Sequence, residues 1–183
     1  MDCSKAGLST KIGLSQPLNG ASSPVLGDIT LNAILKEHAF TAGLTDSQIS
    51  KLSALAHEVS FEENEVVLVT GQQSRHFYLL LSGSVCVEVG AKAYTVWIQA
   101  LGPGDAFGWS SLLEHHDTLF QVRAREKATA LCLDGEALSA LMRQDSEFAA
   151  EFLRRILNLV AGRVQATEVR LGELCGVRMP KKS

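Results

Sequence analysis

Residues 101–124 read LGPGDAFGWSSLLEHHDTLFQVRA. Two glycines lead to Phe107 and Gly108, which mark a tight turn. Trp109, Ser110, Ser111 and Leu112 then read as one polar turn of helix. The start of such a turn points free backbone N–H groups forward, and those groups favour an anion. The two serine hydroxyls are further donors. This is chemistry for holding a phosphate. The chain shows no nucleophile–base–acid set and no G-x-x-x-x-G-K-[ST] loop, so an enzyme is not expected.

Metal chemistry finds little support. The five histidines are His38, His57, His76, His115 and His116. None has the H-x-H spacing, with a later Glu and His, that a metal-dependent β-roll would use. The run Glu114-His115-His116-Asp117 reads as a solvated loop, and no metal is expected. His76 or Cys86 as a haem ligand has no specific signal. Cys3, Cys86, Cys132 and Cys175 form no C-x-x-C pair and suggest no disulfide framework. A reducing, cytoplasmic setting is the expectation.

The elements that position the turn can be read from periodicity. Residues 1–28 are rich in Ser, Gly, Ala and Pro, and read as a flexible tail. Leu31, Ile34 and Leu35 recur at helical spacing. Thr45 and Gln48 form a capping box ahead of Ile49, Leu52 and Leu55, which predicts a helix over about 46–57. Short apolar runs at 65–70, 76–83, 84–90, 94–101, 119–124 and 128–134 predict strands of a sandwich, roll or barrel. A short helix is predicted over 135–145. From about 146 to 175, Leu153, Leu157, Val160, Val164, Thr167, Leu171 and Leu174 step by four and three, a heptad seam. Phe152, Ile156 and Leu159 make a second stripe beside it. One stripe suits the chain's own core and the other a homodimer partner, although a single wide core face is the alternative. Residues 176–183 read as a tail.

The whole chain has 183 residues, 46% of them hydrophobic, and a net charge of -3. That suits one globular domain over 29–175. It does not suit a duplex nucleic-acid binder, which usually shows a basic face. Arg170, Arg178, Lys181 and Lys182 read as solvated. No run of 18 apolar residues appears, so no membrane span is expected.

The order of helices, β-roll, short helix and long helix resembles the cyclic nucleotide-binding domain family. The resemblance covers roughly residues 30–175. It rests on FTAGLTDSQISKLSALAHEVSFEENEVVLVTGQQSRHFYLLLSGSVCVEV, on LGPGDAFGWSSLL and on VRAREKATALCLDGEALSALM, with Gly71, Gly83, Gly104 and Gly108 in order. It implies a mainly β fold with flanking helices, a β-roll or jelly roll. It also implies a bacterial-type regulatory sensor, with cyclic AMP or cyclic GMP as ligand and an effector protein as partner.

In that family the cassette reads roughly F-G-E-[LI]-[AG]-L-L, then P-R-[SA]-A-[TS] after a loop. The acid takes the ribose hydroxyl and the arginine pairs with the cyclic phosphate. Here Phe107, Gly108, Ser110, Ser111 and Leu112 keep the turn. Trp109 replaces the acid, as a stacking platform or as a plug. Asp117-Thr118 stands for Pro-Arg, Leu119 follows, and Gln121 stands near the Thr/Ser. The implied ligand-binding set is therefore Phe107, Gly108, Trp109, Ser110, Ser111, Leu112, Thr118, Leu119, Gln121 and Thr167. Thr167 resembles a threonine that meets the purine in the family's last helix; packing is its other reading. Weak binding is the expectation, and Arg123 or Arg125 could substitute for the lost arginine if their strand face looks inward. The activator proteins of the family continue into a helix-turn-helix. This chain ends eight residues after Cys175, so it is not expected to be a transcription factor on its own.

Overall fold

The computed structural model describes residues 24–90, 94–113, 118 and 120–176. Helix α1 (Pro24–Glu37) begins inside the stretch read as tail. Helix α2 (Asp46–Ser53) starts as its capping box requires: Thr45 Oγ1 accepts from the Gln48 N–H, and Gln48 returns the bond to the Thr45 N–H at 3.0 Å. It stops four residues short of the expected end. Residues Ala56–Phe61 instead form β1, paired in register with β8 (Ala128–Asp134) from Ala56–Leu133 to Phe61–Ala128. The other strands are β2 (Val66–Leu68), β3 (His76–Ser82), β4 (Val85–Gly90), β5 (Thr95–Leu101), β6 (Ala106–Phe107) and β7 (Gln121–Ala124). The chain then closes with α3 (Gly135–Gln144) and α4 (Ser146–Leu174).

The strands form two four-stranded antiparallel sheets, ordered β1-β8-β3-β6 and β2-β7-β4-β5. Successive side chains of a strand point to opposite faces. Along β3, Tyr78 and Leu80 enter the space between the sheets, while Phe77 and Leu79 meet the helices. Along β8, Ala130 and Cys132 point in, and Leu131 and Leu133 point to the helices. Both faces are covered, which is why these two strands read as continuous apolar runs. Each such side chain contributes roughly 1.5–3 kcal/mol on burial.

The inner core holds Phe61, Tyr78, Val85, Val87, Leu101, Phe107 and Val122. The outer layer packs α1, α2, α3 and the first turns of α4 on the β1-β8-β3-β6 sheet. Phe40, Phe77, Phe148 and Phe152 form a ring cluster there, with centroids 5.2–5.8 Å apart. Helix α4 then runs past the roll. Phe152 is buried, and Ile156 and Leu159 pack on the same layer. The heptad residues Leu153, Leu157, Val164, Leu171 and Leu174 stay more than half exposed.

Candidate functional site

Gly108 ends β6 with φ 83°, a left-handed conformation that glycine adopts without cost. A Cβ there would stand 2.4 Å from the His76 carbonyl oxygen, so the turn has no room for a side chain. The single 3-10 turn Trp109–Leu112 follows. Two bonds hold it, Ser111 N–H to Gly108 O at 3.0 Å and Leu113 N–H to Ser110 O at 3.1 Å. Its back rests on the start of α3. A Cβ on Gly135 would meet the Ser111 carbonyl oxygen at 2.6 Å. Any shift of this turn therefore pushes on α3.

A cavity of about 220 Å³ lies on the front of the turn. Gly108, Trp109 and Ser110 line one side, Thr118 and Phe120 another, and Leu68, Val87 and Val122 close the bottom. Arg163 reaches in from α4. A second hollow of about 300 Å³ shares Trp109, Phe120 and Arg163 with the first, and adds Val160, Val164 and Thr167 of α4. The walls are mostly hydrocarbon and ring. Thr118 Oγ1 is engaged in its own loop, donating to Phe120 O at 2.9 Å.

Arg163 is the charged side chain on the inner cavity's wall among the described residues. It is only 8% exposed, and Nη1 donates to Gln99 Oε1 at 2.6 Å. Burial holds its guanidinium below the ordinary arginine pKa, with Asp105 acting weakly the other way.

Three comparisons with known proteins bear on this geometry. Residues 58–145, from β1 to the end of α3, match the family model described as the cyclic nucleotide-binding domain. That segment is of the cyclic nucleotide-binding domain type. Over 140 residues it is 28% identical to the HTH-type transcriptional regulator Cmr of Mycobacterium tuberculosis, covering 76% of this chain and 56% of that protein. The chain thus spans little more than half the length of that relative. Among solved structures, a cyclic nucleotide-binding domain from Methylobacillus flagellatus superposes with a TM-score of 0.67 at 17% identity, covering 85% of this chain and 86% of that one. The regulatory subunit of a cAMP-independent protein kinase A from Trypanosoma brucei superposes with a TM-score of 0.64 at 18% identity, covering 82% and 52%. That structure is a mutant bound to cAMP in its A site, and one of its three changes turns a threonine into an arginine.

Within this nucleotide-binding-type roll, Phe107, Gly108, Trp109, Ser110 and Thr118 come together on the inner cavity. Thr167 lies in the outer hollow, where its hydroxyl donates back to the Arg163 carbonyl at 2.9 Å. Ser111 and Leu112 line a different cleft behind the turn, and the Ser111 hydroxyl is buried with no partner among the described residues. Leu119 lies outside the described residues, as do Glu114–Asp117.

Gln121 is turned away from the cavity, because β7 alternates. Val122 and Ala124 are buried inside the roll, so Gln121, Arg123 and Arg125 face outward. Gln121 Nε2 and Arg123 Nε both donate to Glu88 Oε1, at 2.6 and 2.8 Å. Arg125 sits over the Trp97 ring, 4.0 Å from its centroid. Neither arginine lines the inner cavity or the outer hollow.

Sequence reasoning passed over Phe120 and Arg163. Phe120 had a signal, since it shares a strand face with Val122. Arg163 had a weaker one: it lies four residues before Thr167, on the same helix face. Among the described residues no group of three His, Cys, Asp or Glu could hold a metal, and no helix is long and apolar enough to cross a membrane.

Proposed function

We propose that the chain is a regulatory sensor module rather than an enzyme, working in the cytoplasm as a homodimer through α4. Its roll takes cyclic AMP or a related nucleotide weakly and signals to a partner protein. One observation carries this reading. The cassette turn and α4 share the walls of one cavity, through Trp109, Phe120 and Arg163. A ligand there touches the roll, the long helix and, through Ser111 and Gly135, the start of α3. It can shift a two-state arrangement only by its differential affinity for the two states. The Trypanosoma mutant, which carries a threonine-to-arginine change among its three, is bound to cAMP in a roll of this shape, and that supports the reading.

A second reading, a ligand-free interaction module, is favoured by size. At about 220 Å³ the inner cavity is below the roughly 300–1,000 Å³ of small-molecule pockets, and Trp109 and Phe120 narrow it. Titration calorimetry against cyclic AMP and cyclic GMP, extended to millimolar ligand, separates the two. Saturable weak binding is expected. Thr118→Arg restores a charge-assisted bond worth about 1.5–3 kcal/mol, so it should tighten cyclic AMP binding roughly 10- to 150-fold. No heat from either protein at millimolar nucleotide sinks the sensor reading for these ligands and leaves the interaction module.

A further inference from the structure

Among the described residues, two charged side chains, Glu88 and Arg163, are less than a tenth exposed, and the fold treats them differently. Glu88 is 2% exposed and ion-paired to Arg123 at 2.8 Å, with Gln121 as a second donor. Arg163 is 8% exposed and has a neutral partner, Gln99, and no ion pair among the described residues. A buried charge is ordinarily compensated, because an unpaired one loses hydration and gains nothing in return. Arginine does not escape by shedding its proton, since its pKa lies too high. The side chain also stands on the walls of both hollows, at the place where they share Trp109 and Phe120.

We infer that Arg163 supplies the countercharge for the ligand, so that the cavity selects a small monoanion on an apolar ring body. This deepens the sensor reading and rests on it for the site. The ring body lies in the inner cavity against Leu68, Trp109 and Phe120. The anionic group lies at the junction, beside Arg163. Glu168 also lines the outer hollow and opposes each added negative charge, so low ligand charge is favoured. Asp105 acts on Arg163 from beyond ion-pair distance, and its carboxylate, still charged while it accepts the Gly102 N–H at 2.8 Å, offsets the buried guanidinium only in part. The countercharge thus comes from the helix and not from the roll, and ligand capture fixes α4 against the cassette turn directly. A phosphodiester, a sulfonate and a carboxylate share this chemistry.

The test uses two probe pairs that differ in charge alone or nearly so. One is cyclic AMP against adenosine. The other is 1-anilinonaphthalene-8-sulfonate against N-phenyl-1-naphthylamine, read by fluorescence. In the wild type, the anion of at least one pair should bind roughly ten-fold or more tightly than its neutral partner. Arg163→Gln should erase that preference, and Arg163→Lys should keep part of it. Arg163→Met guards against a folding failure, because replacing an unpaired buried cation by hydrocarbon of similar length is neutral or stabilising. It too should bind the neutral probe and lose the anion preference. Equal binding of anion and neutral probe by the wild type overturns the proposal. So does an anion preference that survives in Arg163→Gln or Arg163→Met, and so does the absence of binding in both pairs. A sulfonate preference that depends on Arg163, with no response to cyclic AMP, keeps the anion site and removes the nucleotide. Cyclic AMP binding unchanged in both variants keeps the nucleotide and removes Arg163.

Discussion

At the scale of single residues, the outer face of β7 holds its arginine in an ion pair away from the cavity. Arg123 is committed to Glu88, whose side chain is 3% exposed while its own is 30% exposed. It also donates to the Asn64 carbonyl at 2.8 Å, so it ties β4, β7 and the turn before β2 together. Removing it leaves a carboxylate buried without a countercharge. Arg123→Ala should therefore lower the unfolding free energy by about 2–3 kcal/mol in a urea titration, somewhat less than for a fully buried pair because Arg123 is partly hydrated. Adding Glu88→Gln to the same chain should recover much of that loss, since the amide carries no charge. If Arg123→Ala unfolds at the wild-type midpoint, the pair is ornamental and the outer face is free to vary.

At the scale of elements, His38 fastens the end of α1 to the roll. Its Nε2 lies 3.1 Å from the Leu80 carbonyl oxygen, and its Nδ1 accepts the Phe40 N–H at 3.2 Å. That pattern fits the neutral ring protonated on Nε2, since a carbonyl needs a donor and an N–H needs an acceptor. Burial lowers the His38 pKa below 6.5, while the Leu80 bond and Asp105 oppose the shift less strongly. The sign follows. The charged form is disfavoured in the fold, so the stabilisation is complete above the unfolded value of 6.5. It is lost as pH falls below 6.5 towards the depressed folded value. Thermal melting at pH 7 and pH 5 should show the decline, and His38→Gln should flatten it over that window. Asp145, which caps α4 and pairs with Lys51, has a carboxyl pKa held low by that lysine and by the Phe148 N–H. Its contribution is present above the ordinary carboxylate range and lost only at lower pH, so it does not explain a loss between 7 and 5.

At the scale of the whole molecule, α4 presents two faces with different fates. Phe148 and Phe152 are buried in the chain's own core, whereas Leu157 is 67% exposed and Leu171 and Leu174 are each 60% exposed. A seam of that kind is suited to a second copy of the helix, with Thr167 as a polar position that sets register. Light scattering on the purified chain should give twice the 19.7 kDa of one copy. Each leucine buried in such a contact contributes roughly 1.5–3 kcal/mol, so Leu157→Asp together with Leu171→Asp should return the monomer mass. A wild type that remains at one copy at high concentration rejects the homodimer and leaves the seam for another protein.

The local sequence determined what depends on neighbours in the chain. The Thr45–Gln48 box set the start of α2, the apolar runs of β3 and β8 announced strands, and the heptad step predicted α4 to within a residue of its end. The glycine order and the turn at Phe107–Leu112 pointed to the family and to the cassette. Tertiary structure decided the rest. Ala56–Phe61 carries an apolar spacing that a helix could also use, and only pairing with β8 made it β1. The faces of Gln121, Arg123 and Arg125 were fixed by which side of β7 packs inside the roll, a register that no short window contains. Arg163 owes its burial to Gln99, 64 residues earlier in the chain, and to the cassette wall of Trp109 and Phe120. Periodicity is local and can be read along the chain. The environment of a charge depends on which distant elements meet around it, and that is settled only when the helix lies down on the roll.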